Sequence, residues 1–279
     1  MPNVFKKNHN MNLVSTEWLN NNLNKVKIFD ASWHMPNSKR NAKKEYSDKH
    51  INGALFWDLE EHSDKDSHLP HMLPNSDYWT RMMWSFGIKN TDHIVVYDFS
   101  DVYSACRLWF SLKYFGHQKV SILDGGMKKW LKENKLTTNK VNKVEPINSY
   151  RVSENVNWIK KKKQINENIK KNSFILVDAR SRERFEGRVE EPRPELRKGC
   201  IPGSKNIPFQ YCIDSETNTF KTKSELIKIF SENNVDYFKR SVFSCGSGVT
   251  ACVLGLAYSL INDRYFPAIY DGSWSEYGK

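Results

Sequence analysis

Four short segments in the first half of this chain recur, in the same order, in its second half. Val26-Lys27-Ile28-Phe29-Asp30-Ala31-Ser32 is matched by Ile175-Leu176-Val177-Asp178-Ala179-Arg180, with Asp30 and Asp178 standing 178 − 30 = 148 positions apart. His50-Ile51-Asn52-Gly53-Ala54 returns as Cys200-Ile201-Pro202-Gly203-Ser204 at a spacing of 150. The stretch from Ile94 to Cys106 returns from Ser241 to Cys252, with Cys106 and Cys252 at 146, and Leu123-Asp124-Gly125-Gly126 returns as Tyr270-Asp271-Gly272-Ser273 at 147. Ordered matches at a nearly constant spacing mark a duplicated folding unit.

Each copy has the pattern of an α/β domain. Short apolar, β-branched runs read as buried strands: Val26–Phe29, Ile94–Tyr97 and Val120–Leu123, then Phe174–Val177, Val242–Ser244 and Ala268–Tyr270. Helical periodicity alternates with them. Thr16–Leu23 opens with Ser15 or Thr16 as a cap, and Ser104–Phe115 carries Leu108, Leu112 and Phe115 at helical spacing; Thr222–Asn233 and Thr250–Ile261 do the same in the second copy. Alternation of this kind predicts two tandem domains, each a mostly parallel sheet flanked by helices. The polar run Thr138–Tyr150 has no periodicity and includes Pro146. The expected division is residues 1–140, a linker at 141–152, and residues 153–279. With 279 residues, either copy is long enough to bury its own core.

Charge and cysteine content exclude some roles. Lys and Arg number 43 and Asp and Glu 32, a net +11. That balance favours small anionic ligands. No nucleic-acid motif accompanies it, so a nucleic-acid partner is not expected. Five cysteines form an odd and sparse set, which fits reduced thiols in a cytoplasmic protein better than a disulfide framework. Residues 1–12 are polar, so no secretory leader is expected, and no apolar run is long enough to suggest a membrane span.

The chemistry concentrates at Cys245-Gly246-Ser247-Gly248-Val249-Thr250. A strand leads into Cys245 and a helix follows Thr250, and ligands of open α/β sheets bind at the carboxyl ends of strands. The glycines let the backbone curl with its N–H groups inward, and the helix adds its positive end. Such a cradle favours a thiolate and would hold a persulfide anion on the same sulfur. On position alone, a small buried hydrophobe is an equal reading of Cys245. The repeat supplies a control. The sister loop, Asp98-Phe99-Ser100-Asp101-Val102-Tyr103, has neither Cys nor Gly, and its acidic residues would repel an anion. One active site, in the second copy, is the simplest expectation. A Cys-dependent phosphatase needs an Arg six residues after its Cys to clamp phosphate; that position is Ala251. Cys252 and Cys106 sit inside helices and read as packing residues.

These residues resemble the tandem-rhodanese sulfurtransferases, in which only the second domain carries the active Cys. The likeness covers about Leu13 to Gly278 and includes Asp30-Ala31-Ser32-Trp33, Leu69-Pro70-His71-Met72-Leu73-Pro74, Ile201-Pro202-Gly203 and Asp271-Gly272-Ser273-Trp274. The loop with Gly246 and Ser247 is similar to that of the branch using 3-mercaptopyruvate, whereas the thiosulfate-using branch has Arg and Lys there. The resemblance implies that Cys245 takes sulfur from 3-mercaptopyruvate as a persulfide, releases pyruvate, and passes the sulfur to a thiol or to cyanide. It implies substrate contacts from Arg184 and Arg193, with Gly246, Gly248, Val249 and Thr250 lining the loop. Arg188 lies outside the match and reads as a surface charge. It also implies a proton relay of Ser247 and His71 completed by an acid, for which this chain offers Glu60, with Asp58 matching a different aspartate. No metal or organic cofactor is implied. The acceptor would be thioredoxin or a low-molecular-weight thiol. Cys200 departs from the usual His before Ile-Pro-Gly. Family members often continue past the equivalent of Trp274, so a shortened carboxyl end is expected. Thiosulfate as donor, or a binding module without catalysis, are the alternatives.

Overall fold

The computed structural model describes residues 11–279; residues 1–10, most of the polar stretch weighed above for a leader, lie outside it. Two five-stranded sheets organise the chain. The first contains β1 (Leu13–Val14), β2 (Lys27–Asp30), β3 (Ala54–Phe56), β4 (Ile94–Tyr97) and β5 (Val120–Leu123). The second contains β6 (Ile159–Lys160), β7 (Ile175–Asp178), β8 (Lys205–Asn206), β9 (Ser241–Ser244) and β10 (Ala268–Tyr270). The orders are β1-β5-β4-β2-β3 and β6-β10-β9-β7-β8, the same path taken twice, and every neighbouring pair is parallel. β4, β5 and β9 are buried along their whole length. Strands covered on both faces have no reason to alternate, which is why they appear in the sequence as unbroken apolar runs.

The first helix begins where the cap signal places it: Ser15 Oγ accepts the N–H of Trp18 at 3.0 Å. It ends at Asn20, short of the expected Leu23, and a 3-10 turn follows at Leu23–Lys25. The Asn20-Asn21-Asn22 run explains the stop, because Asn side chains compete for the backbone: Asn22 Nδ2 donates to the Trp18 carbonyl at 2.8 Å.

The helices after β4 and β9 differ more from expectation. We label them α1 (Ala105–Tyr114) and α2 (Ala251–Ile261). The apolar stripe Leu108-Leu112-Phe115 predicted one buried face. Instead every residue of α1 from Ala105 to Lys113 is buried, and α2 is buried on nearly all sides. The reason is that α1 and α2 pack on each other across the domain boundary, so each has its own sheet on one side and the other helix on the opposite side. One continuous apolar cluster results, joining Phe29, Val96, Trp109 and Leu112 to Val253, Leu256 and Ile269.

The connecting segment is held against the first domain. Thr137–Thr138 pairs antiparallel with His50–Ile51. The Trp84 indole donates to the Tyr150 carbonyl at 3.1 Å, and the Tyr150 ring lies buried 5.7 Å from that of His117. No helix among the described residues is long and apolar enough to cross a membrane.

Candidate active site

β9 delivers Cys245 to the carboxyl edge of the second sheet, and α2 starts at Ala251, so the loop between them lies against the helix's positive end. Cys245 is buried, with 2% of its surface exposed. Its backbone is pinned by the turn after β10: Cys245 N–H donates to Ser273 Oγ at 3.1 Å, and its carbonyl accepts the N–H of Trp274 at 2.9 Å. Ser275 bonds the Gly246 carbonyl twice, through its N–H at 2.9 Å and its hydroxyl at 2.6 Å. Gly248 has φ of 79°, and a Cβ there would stand 3.1 Å from the Asp271 carbonyl, so the curl requires glycine. Among the described residues the N–H groups of Gly246, Ser247, Gly248, Val249 and Thr250 meet no protein acceptor. These unpaired N–H groups, in the loop that follows the thiol, are available to negative charge.

The sister loop keeps this cradle and fills it. Asp98 directly follows β4 as Cys245 follows β9. Its carboxyl turns inward, accepting the N–H of Ala105 at 2.7 Å and of Ser100 at 3.4 Å. Burial pushes that carboxyl up to about 7. The sister loop is thus organised around a carboxyl of its own, which takes the N–H groups an anion would need.

His71 comes from the first domain. His71 Nδ1 lies 2.8 Å from Ser247 Oγ, and Nε2 lies 3.0 Å from Glu60 Oε1. The Trp33 indole also donates to Glu60 at 2.8 Å, and its ring meets that of His71 edge-on at 4.8 Å. The bond from His71 holds Glu60 well below the usual carboxylate range, at about 2, with help from Trp33 and the nearby charge of Arg193. An ionised carboxylate only accepts, so Nε2 carries a proton, and in neutral imidazole Nδ1 is the base facing the Ser247 hydroxyl. Asp58 plays a different part. It caps the turn that presents Glu60, accepting the N–H of Glu60 at 3.0 Å and of Glu61 at 3.2 Å.

Arg184 and Arg193 flank the loop. Arg184 Nη2 lies 3.3 Å from where a Cβ on Gly246 would stand, and it bonds the buried Glu191 at 2.5 Å. Glu191 is itself anchored by Arg180, at 2.7 Å, which in turn grips Asp178 at the end of β7. Arg193 Nη1 reaches Ser275 Oγ at 3.4 Å, one bond away from Gly246. Arg188 pairs with Glu186 on the surface. Cys252 donates to the Gly248 carbonyl at 3.2 Å from beneath the loop, and burial pushes its thiol up to about 12, so it packs as a protonated group.

Arg107, which no motif of the sequence includes, lies at the boundary between the domains. Its Nη2 donates to the His71 carbonyl at 2.6 Å and to Asp271 Oδ1 at 2.6 Å, and its Nη1 touches the Gly248 carbonyl at 3.5 Å. A cation inside Cys106-Arg107-Leu108-Trp109-Phe110, a run otherwise apolar, was the available signal.

A duplicated parallel α/β domain, with a cradled thiol in one copy and a cradled carboxyl in the other, defines the class. The chain belongs to the rhodanese family: the rhodanese-like domain matches residues 15–133 and again 161–279. It is 39% identical over 273 residues to 3-mercaptopyruvate sulfurtransferase of Mus musculus, covering 95% of this chain and 91% of that one. It is 38% identical over 274 residues to thiosulfate sulfurtransferase of Rattus norvegicus, with coverage of 95% and 91%. Among solved structures, SseA of Escherichia coli, described as a 3-mercaptopyruvate sulfotransferase with the rhodanese fold, superposes with a TM-score of 0.85 at 35% identity, covering 95% of this chain and 99% of that one.

Proposed function

We propose that this protein is a sulfurtransferase that takes sulfur from 3-mercaptopyruvate onto Cys245 and passes it to a thiol. Relatives named for 3-mercaptopyruvate and for thiosulfate are almost equally similar, so identity does not choose the donor. One observation carries the choice: the loop Cys245–Thr250 has no cation of its own, while Arg184 and Arg193 stand at its rim. Guanidinium forks at that distance suit the paired oxygens of an α-keto acid. A dianion bonded directly at the sulfur would call for cations within the loop.

In the first half-reaction the Cys245 thiolate attacks the substrate thiol sulfur. The carbon–sulfur bond breaks and its electron pair stays on carbon as the pyruvate enolate, whose charge the two arginines stabilise. The proton carried by the substrate thiol passes through Ser247 to Nδ1 of His71, which Glu60 holds in place, and returns by the same path to the carbon, giving pyruvate and leaving the persulfide as an anion. Cys245 is left as a persulfide among the loop N–H groups. In the second half-reaction an acceptor thiolate attacks the outer sulfur and restores the Cys245 thiolate. Thioredoxin or a low-molecular-weight thiol would serve, as would cyanide, and the five free cysteines support a reducing, cytoplasmic setting for the reaction.

The test is direct. The intact protein should gain one sulfur atom in mass on treatment with 3-mercaptopyruvate, and Cys245→Ser should gain none. kcat/KM for 3-mercaptopyruvate should exceed that for thiosulfate. A preference for thiosulfate would overturn the donor, and no added sulfur would leave only a binding module.

A further inference from the structure

The segment that carries His71 into the active site has a counterpart that the reaction does not use. Asn218 stands where His71 stands. The helices that follow begin at Ser76 and Lys223, and 223 − 76 = 218 − 71 = 147. Both residues take the left-handed backbone, with φ of 61° at His71 and 62° at Asn218. Two positions on, Leu73 donates its N–H across the boundary to Asp271 Oδ2 at 2.9 Å, and Phe220 donates its N–H the other way to Asp124 Oδ1 at 2.8 Å. Asp124 and Asp271 are themselves repeat partners, one after β5 and the other after β10. The exchange is reciprocal: each domain extends a left-handed loop to the carboxyl edge of the other's sheet.

The two ends differ in what they hold. At the active end His71 faces Ser247 beside a rim that must admit substrate. At the other end Asn218 is half-buried, and its side chain hydrogen-bonds to the first domain. Its Oδ1 accepts the Tyr103 hydroxyl at 2.7 Å and its Nδ2 donates to the Gly125 carbonyl at 3.1 Å. The cavity left beside it measures about 20 Å³, room for no more than one water, and is lined by Asp98, Asp124 and Phe220 among others. The two ends are joined through the packed pair α1 and α2.

We propose that the Asn218 end is a clasp that sets the position of His71 in the active site, with Asn218, Tyr103 and Asp124 as positioning residues. Without the clasp the domains rock about the α1–α2 contact, and His71 moves relative to Ser247. An error of about 1 Å in such a geometry can cost on the order of a hundredfold in rate. The inference rests on the relay assigned to His71 above.

Two full-length variants test it. Tyr103→Phe removes only a hydroxyl. Asn218→Gly removes the side chain yet keeps a residue at ease with positive φ. Pyruvate release from 3-mercaptopyruvate is followed across pH in each, alone and combined with His71→Ala, together with discharge of a preloaded persulfide to a small thiol. In either variant kcat for pyruvate release should fall by about tenfold or more with KM little changed and the pH profile altered. Discharge, which leaves no carbon to protonate, should keep its rate. Adding either change to His71→Ala should cost nothing further. Losses that add in full to that of His71→Ala, or that strike release and discharge alike, overturn the clasp. If His71→Ala is crippled while both variants behave as wild type, the clasp alone falls. If His71→Ala releases pyruvate normally, the relay falls and the clasp with it.

Discussion

Asp98 shows how far one side chain redirects a repeated loop. Its carboxyl, buried where the second domain holds a thiol, is pushed up to about 7, and neighbouring Asp30, also desolvated, is raised to about 6. Both lie above the ordinary carboxylate value of about 4. The folded protein therefore binds more protons than the unfolded chain between about pH 4 and 7. The stability this contributes is complete below about pH 4 and is lost as pH rises through about 7. Asp98→Asn keeps a neutral acceptor for Ala105 without that penalty. It should raise the stability measured at pH 8 by on the order of 4 kcal/mol and leave that at pH 4 almost unchanged, read from urea midpoints at the two values. An equal loss at both would refute the account. The sequence showed that the sister loop lacked Cys and Gly. It did not show that the carboxyl turns inward, because that depends on N–H groups of Ser100 and Ala105 that only the folded loop brings together.

At the scale of elements, the strand–loop–helix unit was the most readable part of the chain. β4, β5 and β10 begin and end where their apolar runs do, since strand pattern, turn and cap are local. The burial of α1 was not readable, because its second apolar face is made by α2, far away in sequence. The glycines sort the loop from ordinary turns. Gly248, at φ 79°, has the Asp271 carbonyl at 3.1 Å and Arg107 Nη1 at 3.2 Å from an added Cβ, whereas Gly203, at φ 76°, has nothing within 4 Å. Gly248→Ala should therefore cost about 1–3 kcal/mol in strain and also reduce sulfur transfer by about tenfold to a hundredfold. Gly203→Ala should cost stability and leave turnover intact. Paired denaturation and kcat measurements separate the two, and a Gly248→Ala variant with wild-type turnover would show that the loop tolerates a shifted backbone.

At the scale of the whole molecule, the active site belongs to neither domain alone. Glu60, His71 and Arg107 come from the first, and Cys245, Ser247 and Asp271 from the second. Relations of this kind leave no periodic trace. Only family likeness points to His71 and Glu60, and nothing in the sequence joins Arg107 to Asp271, although Asp271 stands in a repeated segment. Yet their ion pair ties the halves together at 2.6 Å, with side-chain exposures of 2% and 4%. Removing one partner of such a pair strands the other in a dry site, which costs about 3–5 kcal/mol. The cost falls on the boundary, because Arg107 also bonds the His71 carbonyl and touches that of Gly248. Arg107→Met should accordingly lower stability by about that amount. It should also divide the single calorimetric transition expected of domains sharing one core into two. Asp271→Asn added to Arg107→Met removes the stranded charge while keeping an acceptor for the Leu73 N–H, and should recover part of the loss. A single transition at the wild-type temperature in Arg107→Met would mean that the apolar contact of α1 with α2 holds the domains without the ion pair.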